Sequence, residues 1–404
     1  MFSRSTSYAL HRAICLSRTT TSSLCFRRTT HTQLKRQNSL PAAYYRGGTS
    51  RAIMLQAKDL PQDRESWGPI FLGCIGSPDP YGRQLDGLGG GVSSLSKVCV
   101  VGKSERQDAD VDYTFVSLGI KNTHVDYSSN CGNMSAAVGP YSIDTGLVAS
   151  PTILDKDNMK TIVRVHNTNT GKIIHQVFPV VEGEAAANGD FSIDGVAGTG
   201  ARVELKFLDP AGSRTGKLFP TGAKSEIIDG ARVTCVDAGN PCCFVPAAEL
   251  GVSGGPLSPQ EIDADKALLG RLEEIRRKAG VKMGLAETEE SVPGSVPKIG
   301  IVSKPHDSQP DTVVVRAMSV GQPHKAIPVT VALAVAAAVN IPGTTVAECR
   351  VGGGSPSSSE MTTVRHASGT LDVAAEFNHH EGKLVSATVF RTARRLMEGR
   401  VFWK

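Results

Sequence analysis

One cysteine stands where the sequence predicts the start of a helix. Cys131 follows the small polar residues 127–130, which favour turns and caps, and precedes an apolar pattern over residues 136–143 that is typical of a helical face. At such a position the helix dipole and the free backbone N–H groups favour a thiolate, and the same groups can receive a carboxylate. A buried structural cysteine is the alternative, and the local sequence does not separate the two.

A glycine- and serine-rich loop ends in a lysine. It spans Asp86 to Lys97 and leads into the strand-like residues 98–101. The loop is not a P-loop, because the Gly-Lys-Ser/Thr order is missing. Its hydroxyls and bare N–H groups would suit carboxylates, and Lys97 would add an ammonium group. A solvated surface turn is the alternative.

A second helix is predicted over residues 327–340, started by Pro328 and apolar on all sides. A helix without a polar face must be surrounded, so we expect a sheet to wrap around it. Strands are predicted at residues 111–118, 161–167, 172–181, 201–207, 231–236, 311–318, 370–377 and 384–391, with a hairpin inside residues 42–56. If the N-termini of the two helices face each other, they form an anion-binding cleft for a di- or tricarboxylate.

The basic character of the chain comes from its first residues. Residues 1–38 hold seven Lys and Arg and no Asp or Glu, and without those seven the formal net charge changes from +5 to −2. A nucleic-acid partner is therefore not expected. The Arg-, Ser- and Thr-rich composition predicts a mitochondrial transit peptide over residues 1–38 and a matrix location, with a cytosolic form as the alternative.

The nine cysteines include no CxxC pair, which argues against a zinc ribbon and a disulfide framework. The longest apolar run, residues 327–341, is shorter than the roughly 20 residues of a membrane span. With 404 residues the chain is long enough for two domains.

Several segments together resemble the methylaconitate cis-trans isomerase (PrpF-like) family. They are residues 45–51, 86–97, 129–133, 167–170, 240–241, 318–326 and 391–394. The resemblance implies a diaminopimelate epimerase-like α+β fold: two similar domains, each a mixed barrel-like sheet around a central helix, with the active site in the cleft between them. It places domain 1 at residues 39–185 plus 381–404, and domain 2 at residues 186–380.

The resemblance implies that Lys97 and Cys131 form an acid/base pair, without deciding which removes the proton and which returns it. No metal or organic cofactor is implied, because the substrate's own conjugation spreads the charge. The carboxylate-binding positions it implies are Thr49, Ser50, Arg51, Ser93, Ser94, Gly132, Asn133, Asn169 and Lys325. The expected partner is a small tri- or dicarboxylate, with no nucleic acid and no membrane; a homodimer is left open.

One departure from the fold's epimerases bears on the reaction. Those enzymes carry a second cysteine at the start of the helix of domain 2, whereas residues 330–334 here hold none. The sequence therefore favours an isomerase acting on cis-/trans-aconitate or 2-methylaconitate. A 4-oxalomesaconate-type tautomerase and a non-catalytic tricarboxylate-binding relative are the alternatives, and a dinucleotide-binding oxidoreductase is the most distant one.

Overall fold

The computed structural model describes residues 36–149, 152–155, 159–252, 257–307, 309–352, 361–378 and 380–404. Residues 38–404 form one compact unit. Nearly all of the predicted leader, residues 1–38, lies outside the described residues. No helix in the described ranges has the length and apolar character needed to cross a membrane.

The strands, in chain order, are β1 (Asn38–Gly47), β2 (Ser50–Gln56), β3 (Lys97–Lys103), β4 (Val111–Leu118), β5 (Val125–Asp126), β6 (Thr152–Asp155), β7 (Lys160–Asn167), β8 (Lys172–Val181), β9 (Glu184–Ala185), β10 (Phe191–Ser192), β11 (Thr199–Gly200), β12 (Arg202–Leu208), β13 (Glu226–Ile228), β14 (Ala231–Asp237), β15 (Pro241–Pro246), β16 (Lys298–Ser303), β17 (Thr312–Ser319), β18 (Gln322–Pro323), β19 (Met361–His366), β20 (Gly369–Asn378) and β21 (Lys383–Trp403). The α-helices are α1 (Trp67–Ile75), α2 (Gly132–Asp144), α3 (Pro259–Ala264), α4 (Lys266–Lys282), α5 (Val329–Val339) and α6 (Thr345–Glu348).

Eight strands close into a barrel around α2. The order β1-β2-β3-β4-β7-β8-β12-β21 returns to β1, and each neighbouring pair is hydrogen-bonded. Every residue of α2 from Gly132 to Ile143 is buried. Small residues let the barrel approach the helix closely: a Cβ on Gly139 would lie 2.6 Å from the ring of Phe178. The helix that carries Cys131 is therefore fixed along its whole length.

A second sheet surrounds α5. It runs β14-β15-β16-β17-β19-β20-β21, with parallel pairs at β15–β16 and β17–β19. All eleven residues of α5 are buried, which confirms the enclosed helix expected from its uniformly apolar sequence. Each Val or Leu buried there contributes about 1.5–3 kcal/mol, so a helix without a polar face is stable in this position.

Strand β21 belongs to both sheets. Residues 383–389 pair with β20, residues 386–392 with β12 and residues 393–403 with β1. The predicted α+β class with barrel-like sheets around central helices is thus confirmed. The division into domains at residues 185, 186, 380 and 381 stays a prediction.

Candidate active site

The N-termini of α2 and α5 meet at one cleft. Gly132, the first residue of α2, lies so close to Val329, the first residue of α5, that a Cβ on Gly132 would be 2.5 Å from Val329 Cγ1. Both residues line the same cleft. The first N–H groups of both helices lack intrahelical partners, so this cleft favours anions.

Cys131 is the N-cap residue of α2, and its side chain makes no capping hydrogen bond. The thiol therefore stays available on the wall of the cleft. The other six cysteines in the described part of the chain are buried, whereas Cys131 is partly exposed. Burial raises the pKa of Cys74, Cys235 and Cys242 to about 12. Those thiols are inert, which singles out Cys131 as the accessible one.

Lys97 lines the same cleft. It is the first residue of β3, it is 8% exposed, and its Nζ donates a 2.5 Å hydrogen bond to the carbonyl of Ser93. The ammonium also lies 5.4 Å from the centroid of the Phe115 ring. The glycine- and serine-rich loop thus holds the lysine at the cleft, and the predicted pair of Lys97 and Cys131 is brought together.

Five of the nine predicted carboxylate-binding residues line this cleft. They are Ser50, Ser93, Ser94, Gly132 and Asn133. Their hydroxyl, amide and backbone N–H groups are hydrogen-bond donors, as a carboxylate requires.

The other four lie outside that lining. The Thr49 hydroxyl accepts a 3.2 Å hydrogen bond from the Asn133 amide, and the Arg51 guanidinium lies over the Tyr44 ring. The Asn169 side chain bonds the backbone of Phe115 and Tyr127, so it supports the wall from behind. Lys325 is exposed and lines a separate pocket beside α3. Their roles toward a substrate stay predictions.

Lys298 is a second lysine of the cleft, and the sequence analysis missed it. It begins β16, it is 8% exposed, and its Nζ donates a 2.8 Å hydrogen bond to the carbonyl of Ser295. Burial lowers the pKa of Lys298, and the nearby Lys97 acts in the same direction. Its sequence neighbourhood, an isolated Pro-Lys pair before an apolar strand, contains no local signal of a site.

His324 lines the cleft as well. Its Nδ1 accepts a 3.1 Å hydrogen bond from the backbone N–H of Ala326, which assigns the proton of the neutral ring to Nε2. Burial, with Lys97 and Lys298 nearby, lowers the pKa of His324 to about 4. The ring is therefore neutral at pH 7 and has one N–H to donate. The sequence analysis includes residues 318–326 among the segments that resemble the family but does not indicate a role for this histidine.

A buried arginine fixes the Asn133 amide. Arg391 Nε donates a 3.1 Å hydrogen bond to Asn133 Oδ1, so the amide nitrogen of Asn133 is the group turned to Thr49. Burial lowers the pKa of Arg391 to about 10. The hairpin of β1 and β2 packs closely against the Asn133 side chain: a Cβ added to Gly48 would lie only 2.2 Å from Asn133 Oδ1. Gly48, at φ +50°, makes this close approach possible.

Asn240 ties the starts of the two helices together. Its Oδ1 accepts from the Asn130 N–H, and its Nδ2 donates to the Asn130 carbonyl at 2.9 Å and to Thr330 Oγ1 at 3.3 Å. Asn130 precedes Cys131, and Thr330 lies in the first turn of α5. One buried amide therefore fixes the thiol's loop relative to the opposite helix.

We expect Gly132→Ala to separate the two helix starts, because its Cβ would clash with Val329. Overpacking of this kind costs about 1–3 kcal/mol of unfolding free energy. A displacement of about 1 Å at the cleft would lower activity by roughly tenfold or more. Denaturant unfolding and steady-state kinetics measure both effects.

Gly270→Ala in α4 is the matched control, because a Cβ there meets nothing within 4 Å. It should stabilise the protein by about 0.5–1 kcal/mol and leave activity unchanged. The double variant Gly132→Ala/Val329→Ala should remove the clash between the two side chains and recover part of the lost stability and activity. Wild-type stability and activity in Gly132→Ala alone would contradict the close contact.

The assembled site is an anion-binding cleft with a thiol and two lysines. Among the described residues that line it there is no Asp or Glu, so the two ammonium groups and two helix N-termini face no acidic side chain of the lining. Nor do the described residues contain a group of three or more His, Cys, Asp and Glu arranged to hold a metal ion. The arrangement suits binding of carboxylates next to a group that moves a proton.

The PrpF protein family model matches residues 37–404. The chain is 38% identical to a 3-methylitaconate isomerase of Eubacterium barkeri, over 91% of this chain and 97% of that protein. It is also 38% identical to a 2-methyl-aconitate isomerase of Cupriavidus necator, covering 90% and 96%. A (4E)-oxalomesaconate Delta-isomerase of Novosphingobium sp. is 37% identical, covering 91% and 98%.

Solved structures agree with the fold. A methylitaconate-delta-isomerase superposes with a TM-score of 0.73 at 37% identity, covering 91% of this chain and 96% of that one. A hydroxyproline epimerase from Agrobacterium vitis superposes with a TM-score of 0.53 at 11% identity, covering 91% and 94%, which is a likeness of fold alone.

The comparisons correct one prediction. The expected mitochondrial matrix location is wrong: the matching relatives are bacterial proteins, and bacteria have no mitochondria. The family match begins at residue 37 and does not cover the basic leader. The match over residues 37–404, the relatives named as isomerases and the shared fold agree: the chain belongs to the PrpF protein family and is an isomerase.

Proposed function

We propose that the protein moves or inverts the double bond of an unsaturated tricarboxylate, cis-/trans-aconitate or 2-methylaconitate, without a cofactor. The observation that carries the proposal is the placement of Lys97 and Cys131 on one cleft that also receives both helix N-termini. Relatives named for methylaconitate and methylitaconate isomerisation support the substrate class.

The substrate's carboxylates bind where positive charge is concentrated. The first-turn N–H groups of α2 hold one carboxylate, with help from Ser50 and Asn133. The Ser93 and Ser94 hydroxyls donate hydrogen bonds to another carboxylate, and Lys298 supplies an ammonium group. These contacts hold the carbon that loses its proton between the thiol and Lys97.

The reaction needs one proton removed and one returned. A base, Lys97 or Cys131, takes a proton from the saturated carbon next to the alkene, and the electron pair spreads over the allylic carbons and their carboxylates. The other member of the pair then returns a proton to either end of the allylic system. The formula is unchanged, and only the position or geometry of the double bond differs. Charge that develops on carboxylate oxygens is stabilised by Lys298 and the helix N–H groups.

The residue at the start of α5 fits an allylic isomerisation better than an epimerisation by two thiols. Thr330 lines the cleft where an epimerase of this fold would need its second thiol. A threonine hydroxyl is a poor base, so proton transfer at two opposite faces by two thiols is disfavoured. An allylic shift does not require such a pair.

A tautomerase of the 4-oxalomesaconate type is the second candidate. The Novosphingobium relative named for oxalomesaconate is as similar to the chain as the methylaconitate relatives are. Removal of a proton next to an oxo group uses the same base and the same carboxylate contacts.

A substrate panel followed by NMR in D₂O tests the proposal. We expect the wild-type protein, without any added cofactor, to convert cis-aconitate or 2-methylaconitate and to place deuterium in the product, because the proton passes through an exchangeable base. 3-Methylitaconate and oxalomesaconate complete the panel. A sample without protein measures the uncatalysed background.

Each other outcome points elsewhere. Conversion of oxalomesaconate with no change in the aconitates would favour the tautomerase. Binding of aconitate by calorimetry with no turnover of any compound would favour a non-catalytic binder and refute the proposal.

A further inference from the structure

A valine occupies a turn position that strains it. Strands β17 and β18 pair through Ser319 and Gln322, which leaves Val320 and Gly321 as a two-residue hairpin turn with φ of +51° and +72°. Turns with two positive φ angles favour Asn, Asp or Gly at the first position. A β-branched residue at positive φ is a genuine outlier, and such strain persists where it serves a site.

Two other two-residue hairpin turns in this chain can be compared with the Val320-Gly321 turn. Asp229-Gly230 joins β13 to β14, and Glu182-Gly183 joins β8 to β9, with positive φ at all four residues. Neither of these turns carries a β-branched residue, and neither lies in the lining of the cleft. Val320 is therefore the unusual case, and it is the one at the site.

About half of the apolar Val320 side chain is not covered by the protein. It is 48% exposed, so burial in the core does not explain its presence. It lines the active-site cleft, where the other side chains near it are mainly polar, including Ser295, Ser319 and His324. An apolar group of a bound ligand could therefore contact the exposed part of the Val320 side chain.

A second cavity has Val320 in its lining. Most of its other lining side chains are apolar: Leu269, Leu272, Pro297, Ile299 and Met318. Of its three charged residues, Glu273 and Arg276 are paired with each other, and the Lys298 ammonium donates to the carbonyl of Ser295. Val320 and Lys298 line both this cavity and the cleft. Val320 is therefore the apolar side chain that the polar cleft and this cavity share.

We propose that Val320 determines which alkyl substituent the enzyme prefers on its substrate. Its side chain contacts a methyl-sized group in the cleft and blocks access to the apolar cavity, which would otherwise accept a longer alkyl chain. The inference rests on the proposed function for the substrate class, unsaturated tricarboxylates, and adds the substituent. The carboxylates of every homologue bind through the contacts already described. The side chain at position 320 therefore changes the ratio of kcat/KM between homologues.

Val320→Gly tests the inference with aconitate and its 2-methyl, 2-ethyl and 2-propyl homologues. In the wild-type protein we expect kcat/KM to be highest for the methyl compound and to fall about tenfold or more for the ethyl and propyl ones. In Val320→Gly the methyl preference over aconitate should fall about tenfold, and the ethyl and propyl compounds should gain at least tenfold. The variant should unfold at a temperature no lower than the wild type, because glycine removes the strain.

Glu182→Gly is the matched control, since it relieves the same backbone strain in a turn away from the cleft. It should leave all four substrate ratios unchanged. Equal ratios in the wild type and Val320→Gly, with both folded, would overturn the inference.

Dissociation constants for the saturated tricarboxylate homologues separate this test from that of the reaction. If the wild type turns over none of the substrates, the proposed function fails, and the binding ratios still decide the role of Val320. A loss of the preference for the methyl homologue in the dissociation constants of Val320→Gly supports the role of Val320. Unchanged ratios of dissociation constants, or no binding of any homologue, overturn that role.

Discussion

Lys97→Ala and Cys131→Ser are each expected to lower kcat by about 10²-fold or more, the range for a general acid or base. Both side chains line the cleft, and no other described lysine or cysteine except Lys298 shares that lining. Because one group must take the proton and a group must return it, losing either member interrupts the cycle. Steady-state kinetics with the substrate found in the NMR panel measures the effect.

Matched controls come from the same elements and residue types. Lys103→Ala removes a lysine at the exposed far end of β3, and Cys349→Ser removes a thiol outside the cleft lining. Both should retain wild-type kcat. A Lys97 or Cys131 variant with wild-type kcat would remove that residue from the mechanism.

Deuterium exchange then divides the two roles. If Lys97 removes the proton, Cys131→Ser should still exchange substrate hydrogen with D₂O while isomerisation falls. If Cys131 removes it, exchange and isomerisation should fall together in Cys131→Ser, and exchange should survive in Lys97→Ala. Survival of exchange in both variants would mean that another group removes the proton.

Lys298→Met should lower kcat/KM by about 10- to 100-fold, which corresponds to the loss of a charge-assisted hydrogen bond worth about 1.5–3 kcal/mol. Methionine keeps most of the stem's volume while removing the ammonium group. Since burial lowers the pKa of Lys298, its charge is lost at a lower pH than that of an ordinary lysine. Activity that needs this charge should decline as the pH rises through that lowered pKa.

The pH profile identifies the group. In Lys298→Met, the part of the alkaline decline that belongs to this lysine should be absent, whereas a variant that merely loosens the fold would keep the wild-type shape at lower amplitude. Lys304→Met, an exposed lysine just after β16, is the matched control and should change neither rate nor profile. A wild-type rate and profile in Lys298→Met would exclude it from substrate binding.

Local patterns were enough to predict the elements that hold the thiol. Cys131 precedes a helix because residues 127–130 cannot continue one and the following residues can, and the structure has Cys131 as N-cap of α2. Likewise, a helix with no polar face had to be enclosed, and every residue of α5 is buried. Both inferences depend on residues close in sequence, where periodicity is informative.

Contacts between distant residues were not accessible in the same way. Lys298 joins the site because β16 pairs in parallel with β15, and Cys242 lies opposite Lys298. Nothing near position 298 encodes that pairing. The amphipathic pattern of residues 258–278 predicts a single surface helix. The structure has two helices there, α3 and α4, because the Asp265 side chain caps α4 by accepting from the Leu268 N–H.

Strand β21 illustrates the same limit. The sequence predicted residues 384–391, whereas the strand continues to Trp403. The additional residues include several exposed charges that weaken the alternating pattern of a strand. They remain extended because β1, more than 300 residues earlier in the sequence, supplies their hydrogen bonds.

This pairing has a consequence for how the protein is made. On the ribosome, β1 is among the first strands synthesised, yet its partner in β21 appears only when residues 393–403 have left the exit tunnel. Until then both β1 and β12 carry open edges, and α2 lacks part of its enclosure. Closure of the barrel must therefore wait until residues 393–403 have been made, and the nascent chain carries these open, aggregation-prone edges until then. Chaperone dependence during expression, and sensitivity to truncation of the last ten residues, should exceed those of a barrel built from neighbouring hairpins.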